Sequence, residues 1–252
     1  KIFSKTKKKI FILPGSHEQY VPYYAALKKF SKVTDCTKTH ITKLNNQKIV
    51  FIPGADSTAS GAGFRILKDR KQYVRFRRRI KELRAHFWGK IIPFFVDDFA
   101  KFLDKGAVVI SHVPPEFGTK KAIDVATFGT PKKIFVLPER HKKLSKTTRG
   151  SLMIPDHVVF GLEEAKRLIK KGYPVRIITE NVGNPWLRSL IKKKKIKFFI
   201  CSHIHEAGGR ANDSKGKPVK HGKWSKELFY NCSGRAGIVE FLNGKARYRN
   251  IT

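Results

Sequence analysis

Two histidines separated by a single residue, His203 and His205, follow directly on the apolar run Phe198-Phe199-Ile200-Cys201. A short uncharged run of aromatic and β-branched residues reads as a buried strand. A strand end is a rigid place from which to present imidazoles to a metal ion. Two further segments have the same form. Ala107-Val108-Val109-Ile110 runs into Ser111-His112-Val113-Pro114-Pro115, and Ile10-Phe11-Ile12-Leu13 runs into Pro14-Gly15-Ser16-His17-Glu18. A lone histidine after a strand is more often a hydrogen-bonded loop or core residue than a ligand. An His-x-His pair leaves both readings open, and histidines at three strand ends together point to a metal site.

The three segments resemble the later motifs of the calcineurin-like metallophosphoesterases, in particular the small stand-alone archaeal-type members. That family carries D-x-H, G-D-x-x-D, G-N-H-D/E, a strand-end histidine and G-H-x-H, in that order. Pro14-Gly15-Ser16-His17-Glu18 resembles the third motif, Ser111-His112-Val113 the fourth and Ser202-His203-Ile204-His205-Glu206 the fifth. Similarity also runs through Asp35-Cys36-Thr37-Lys38, Phe51-Ile52-Pro53-Gly54-Ala55-Asp56, residues 181–191, Asn231-Cys232-Ser233-Gly234 and residues 236–240. The resemblance implies a two-sheet αββα sandwich and two divalent ions, Mn, Zn or Fe, about 3.5–4 Å apart across a phosphoryl group. On this basis His112 and His203 ligate one metal, while His205 and the weaker donor Ser16 belong to the other. His17 stands as the proton donor to the leaving oxygen.

The pattern is incomplete. No D-x-H and no G-D-x-x-D precede Gly15, Ser16 stands where the family has asparagine, and Ser202 where it has glycine. The chain starts at Lys1, and its one methionine is Met153. An upstream segment holding the first core strands and the bridging aspartate is therefore expected, and the chain as it stands is expected to be inactive or nearly so. The alternatives are a family member whose metal site has been abandoned, or one zinc held by His112, His203 and His205 with an open position.

Charge is the second unusual feature. Lys+Arg 54 against Asp+Glu 19 gives a formal net charge of +35. Such a charge draws polyanions, so RNA, DNA or the ribosome join a phosphoester substrate as expected partners, unless the charge is a proteome-wide bias. The densest basic element is residues 72–88, where Tyr73, Phe76, Ile80, Leu83 and Phe87 recur at helical spacing. Arg75, Arg77, Arg78, Arg79, Lys81 and Arg84 cover the rest of that helix. It reads either as a docked helix with a solvated back or as a phosphate-gripping element beside the cleft. No apolar stretch is long enough to span a membrane. Cys36, Cys201 and Cys232 lack metal spacing and read as small hydrophobes in a reducing cytoplasm.

The elements that must position these residues alternate as in an α/β fold. A single domain is expected over 1–252, N-terminally incomplete, with basic insertions at about 65–90 and 119–160. Helices are expected at 22–30, from Asp97-Asp98 through Leu103, at 162–171 and from Pro185 through Ile191. Strands are expected at 48–52, 134–137, 174–179, 228–231 and 237–241, with Asn243-Gly244 turning into a last strand at 246–249. The rest of 119–160 reads as basic loop.

Overall fold

A computed structural model of the protein describes residues 8–15, 20–54, 96–137, 152–154 and 158–251. Its first strands are β1 (Ile10–Ile12), β2 (Val33–Asp35), β3 (Ile41–Leu44), β4 (Gln47–Ile52) and β5 (Val108–Ser111). The insertion region holds β6 (Val125–Pro131), β7 (Phe135–Leu137), β8 (Leu152–Ile154) and β9 (Phe160–Gly161). The remainder are β10 (Val175–Asn181), β11 (Phe198–Cys201), β12 (Ala211–Asn212), β13 (Leu228–Asn231), β14 (Ala236–Leu242) and β15 (Lys245–Ile251). Helices are few: α1 (Tyr20–Leu27), α2 (Leu162–Lys170) and α3 (Pro185–Lys194), with 3-10 turns at Val96–Phe102 and His205–Ala207. The fold is thus mixed α/β with several sheets. Among the described residues no helix is long and apolar enough to cross a membrane.

The main sheet has six strands in the order β12-β13-β11-β5-β4-β3. The central four, β13, β11, β5 and β4, are parallel to one another, and β12 and β3 close the edges antiparallel. A sheet covered on both faces needs apolar residues at every position, which is why β5, β11 and β13 read as unbroken hydrophobic runs. Val50, Val109, Phe199 and Phe229 point to one side and pack with Leu187, Leu190 and Ile191 of α3 and with Val96 and Phe99. On the other side Ile49, Phe51 and Val108 meet Cys36, Phe11 and Leu13, and Leu228 and Tyr230 meet Ala246 and Tyr248 of β15.

Local sequence accounts for α3 well. Asn184 is the N-cap, its side chain accepting from the Leu187 amide at 2.8 Å, and Pro185 opens the helix. The helix runs one turn beyond the expected Ile191, so Lys192, Lys193 and Lys194 lie in its last turn, where cations suit the carbonyl end. It stops at Lys195, held left-handed at φ 54°. That conformation costs a residue with a Cβ, so Lys195→Gly is expected to stabilise the protein by about 0.5–1 kcal/mol. A rise in the urea unfolding midpoint at unchanged m-value is the check.

Several expectations are corrected. The helix expected at 22–30 covers Tyr20–Leu27, and the one expected after Asp97 is a 3-10 helix over Val96–Phe102. The largest difference lies in the stretch read as basic loop, which contains the seven-residue strand β6 and also β8 and β9. β6 is paired along its whole length with β10, from Val125 opposite Asn181 to Pro131 opposite Val175. Gly129 interrupts its apolar pattern because α2 packs there: an added Cβ would lie 2.3 Å from Ala165 Cβ.

Candidate metal centre

Parallel strands place all their carboxyl ends on one edge, and in open α/β sheets that edge is where ligands collect. Here β5 ends at Ser111 and delivers His112, while its neighbour β11 ends at Cys201 and delivers Ser202 and His203. The ladder continues past both strands, since the Ser202 amide donates to the His112 carbonyl at 3.0 Å. On the other side the Gly54 amide donates to the Pro14 carbonyl at 2.7 Å, which ties the turn after β1 to the turn after β4. Of the three strand ends singled out in the sequence, those of β5 and β11 open on the same sheet edge, while β1 belongs to a separate two-stranded sheet with β2 and reaches the main sheet through that turn.

The imidazoles of His112 and His203 converge. His112 Nε2 and His203 Nδ1 are 2.9 Å apart, with ring centroids 4.7 Å apart and planes at 71°. In the neutral pair one ring donates this hydrogen bond and the other accepts it. Two nitrogens each about 2.1 Å from one ion would be about 3.0 Å apart at right angles, as around manganese or iron, and about 3.4 Å apart in the tetrahedral arrangement of zinc. The observed separation therefore fits two adjacent ligands of a single metal ion. His203 also has φ +78°, a left-handed conformation that a non-glycine residue adopts at a cost. Strain of this kind gathers at functional positions, and here it turns the ring back toward His112.

His205 opens the short 3-10 turn after His203, is exposed, and has its Nδ1 3.6 Å from where a Cβ on Gly234 would stand. Ser16, His17 and the six basic residues Arg75, Arg77, Arg78, Arg79, Lys81 and Arg84 lie outside the described residues. Among the described residues no group of three or more His, Cys, Asp or Glu is placed to hold a metal. Two buried hydroxyls at the same sheet edge, Ser111 Oγ and Ser233 Oγ, have no hydrogen-bond partner. The described residues bring two imidazole nitrogens together at this edge. All three cysteines are unpaired, and burial pushes the Cys36 thiol up to about 12, away from the thiolate form.

The loop that carries the histidines is held from behind by Asn231, a buried residue at the end of β13 that falls within the Asn231-Cys232-Ser233-Gly234 similarity and had no role assigned from it. Its amide nitrogen donates to the Ile204 carbonyl at 2.9 Å and to the Ile123 carbonyl at 2.8 Å. Its oxygen accepts from the Ser233 amide at 2.8 Å. Ile204 is the residue between the two histidines, so Asn231 fixes the backbone on which both are mounted. Gly208 then lets the chain close against the turn after β13, because a Cβ there would come within 2.0 Å of the Ser233 carbonyl. A polar residue ending the otherwise apolar run Leu228-Phe229-Tyr230 was the available signal.

Asp124 is a residue that the sequence did not single out, although an acid inside Ala122-Ile123-Asp124-Val125-Ala126 is itself a signal. It is buried, accepts from the Phe117 amide and the Asn181 side chain, each at 2.9 Å, and from the Gly183 amide at 3.4 Å. Burial raises its carboxyl from the usual 3.8 to about 6, with the three donors pulling the other way. The folded protein therefore holds a proton that the unfolded chain has lost between about pH 4 and pH 6. Its contribution to stability is greatest below about pH 4 and is lost as pH rises to about 6, a change on the order of 2–3 kcal/mol. Urea unfolding of the protein and of Asp124→Asn from pH 4 to pH 7 should show that slope in the former alone.

Against known proteins, no family matches the chain, and no curated protein or solved structure matches it either.

Proposed function

We propose that the protein is a metal-dependent phosphoester hydrolase of the calcineurin-like metallophosphoesterase type, a phosphodiesterase acting on a nucleotide or nucleic acid. The observation that carries this reading is the pair His112 Nε2 and His203 Nδ1, 2.9 Å apart at the carboxyl ends of two adjacent parallel strands. The motif order in the sequence supports it. The layering, in which α3 covers one face of the main sheet and the β14–β15 hairpin part of the other, is compatible with the sandwich that this reading expects. A manganese, zinc or iron ion on this pair would supply Lewis acidity and a nucleophilic water for attack on phosphorus. The chain's own part is to hold the two imidazoles in register, through Asn231 and the β5–β11 ladder, and to expose them at the sheet edge. In this reading His17 hands a proton to the leaving oxygen and His205 and Ser16 belong to a second ion. The unpaired thiols suit a reducing cytoplasm.

A second reading has its own observation. The described residues bring together no set of three metal donors, and the chain carries +35 of formal charge. On that reading the same fold is catalytically inactive and binds RNA or the ribosome through its basic surface. Turnover of a chromogenic phosphodiester with and without Mn²⁺ separates the two. Weak, metal-dependent hydrolysis that disappears in His112→Ala and His203→Ala supports the hydrolase. Tight, salt-sensitive RNA binding with neither bound metal nor hydrolysis supports the binding protein and ends the first reading.

A further inference from the structure

The β7–β8 hairpin is apolar on both faces, and only one of them is covered. Phe135, Leu137 and Ile154 face inward and pack with Phe160, Ala165, Leu168 and Val175. On the opposite face Ile134, Val136 and Met153 are 58, 52 and 65 % exposed. Val136 stands directly across from Met153 in the register, and the exposed Ile134 immediately precedes β7. Scattered exposed aliphatics are ordinary, whereas a contiguous set on one sheet face marks an interaction surface. A strand that is apolar on both faces is one that is normally buried on both.

Charge selects what covers it. Lys132 and Lys133, both exposed, lead into β7, and the sequence joining β7 to β8 carries Arg140, Lys142, Lys143, Lys146 and Arg149 against Glu139 alone. A second copy of this chain would bring the same positive charge to the contact and be repelled. A nucleic acid answers the charge but has no use for three aliphatic side chains, which offer no ring for a base to stack on. A bilayer with anionic headgroups answers both features: aliphatics enter the acyl boundary while lysine and arginine stay at headgroup level. We propose that the β7–β8 hairpin is a membrane-docking element that inserts Ile134, Val136 and Met153 into an anionic lipid surface, with Lys132 and Lys133 at its headgroups. The proposal is independent of the catalytic reading.

The test is vesicle sedimentation of the whole chain at about 0.1 M salt. Phosphatidylcholine vesicles are compared with vesicles containing about 30 % phosphatidylglycerol. The protein is expected to sediment with the anionic vesicles and stay in solution with the neutral ones. Ile134→Thr, Val136→Thr and Met153→Thr together keep strand-forming residues and all the charge, and should weaken this association at least about tenfold. Met153→Trp provides a readout that does not depend on that triple variant folding. Its extra emission should shift to the blue on anionic vesicles relative to the parent chain. Failure to sediment, parental affinity in the threonine variant, or an unshifted tryptophan in the bound state would each overturn the proposal. So would loss of single-stranded RNA binding, in place of vesicle binding, on the same three substitutions.

Discussion

Replacing His203 or His112 by alanine is expected to weaken the binding of the first divalent ion more than about 100-fold and to remove phosphoester hydrolysis with it. Loss of a partner that merely orients a metal ligand already costs 10–100-fold in affinity, and these two residues are the ligands themselves in our reading. The pair is half-buried at the sheet edge, and the hydrogen bond between its rings is worth about 1 kcal/mol. His203 allows a finer check. With φ at +78°, His203→Gly should be more stable than His203→Ala by about 1 kcal/mol, although both lose the imidazole equally. A glycine variant that folds better and binds no metal would show a backbone strained to hold a ligand. Mn²⁺ titration calorimetry and urea unfolding on the same preparations read both quantities.

Asn231→Asp is expected to be the most damaging single-atom change near the site, costing about 3–5 kcal/mol of stability. The substitution turns the nitrogen that donates to the Ile123 and Ile204 carbonyls into an oxygen facing two acceptors, in a place with no access to water. Asn231→Ala leaves the same two carbonyls and the Ser233 amide without partners, at about 2–4 kcal/mol. The two variants should differ from an ordinary core defect in one respect. Because Ile204 lies between His203 and His205, metal affinity should fall about 10–100-fold in molecules that remain folded. Unfolding midpoints give the first quantity, and metal titration well below the midpoint gives the second. Parental metal affinity in folded Asn231→Ala would mean that the residue supports the fold alone.

The parts of the fold legible in the sequence were those with strong local causes. The apolar runs of β5, β11 and β13 announce a sheet covered on both faces, and Asn184-Pro185 announces the start of α3. Asn243-Gly244, with φ of 48° and 69°, turns β14 into β15 as the dipeptide suggests. What stayed hidden depends on contacts distant in sequence. Val125-Ala126-Thr127-Phe128-Gly129-Thr130-Pro131 has a glycine at its centre and a proline at its end, and reads as loop. It is a strand because β10, some fifty residues later, pairs with it throughout and Ala165 needs the space at Gly129. The candidate site divides in the same way. His112 and His203 were visible from strand ends, and their convergence follows once β5 and β11 are neighbours. Asn231 and Asp124 stand out locally only as a polar residue and an acid within apolar runs, and their partners, 108 and 57 residues away, are set by the fold.

In this reading His112 and His203 together hold a divalent ion, and Mn²⁺ titration of the 252-residue chain beside its His112→Ala/His203→Ala variant decides it. One saturable equivalent in the parent chain, absent from the variant, is the result predicted, since a two-ion site needs carboxylates that these residues do not supply. No binding by the parent chain, or binding that survives the loss of both imidazoles, would contradict the account and leave the basic surface as the basis of function.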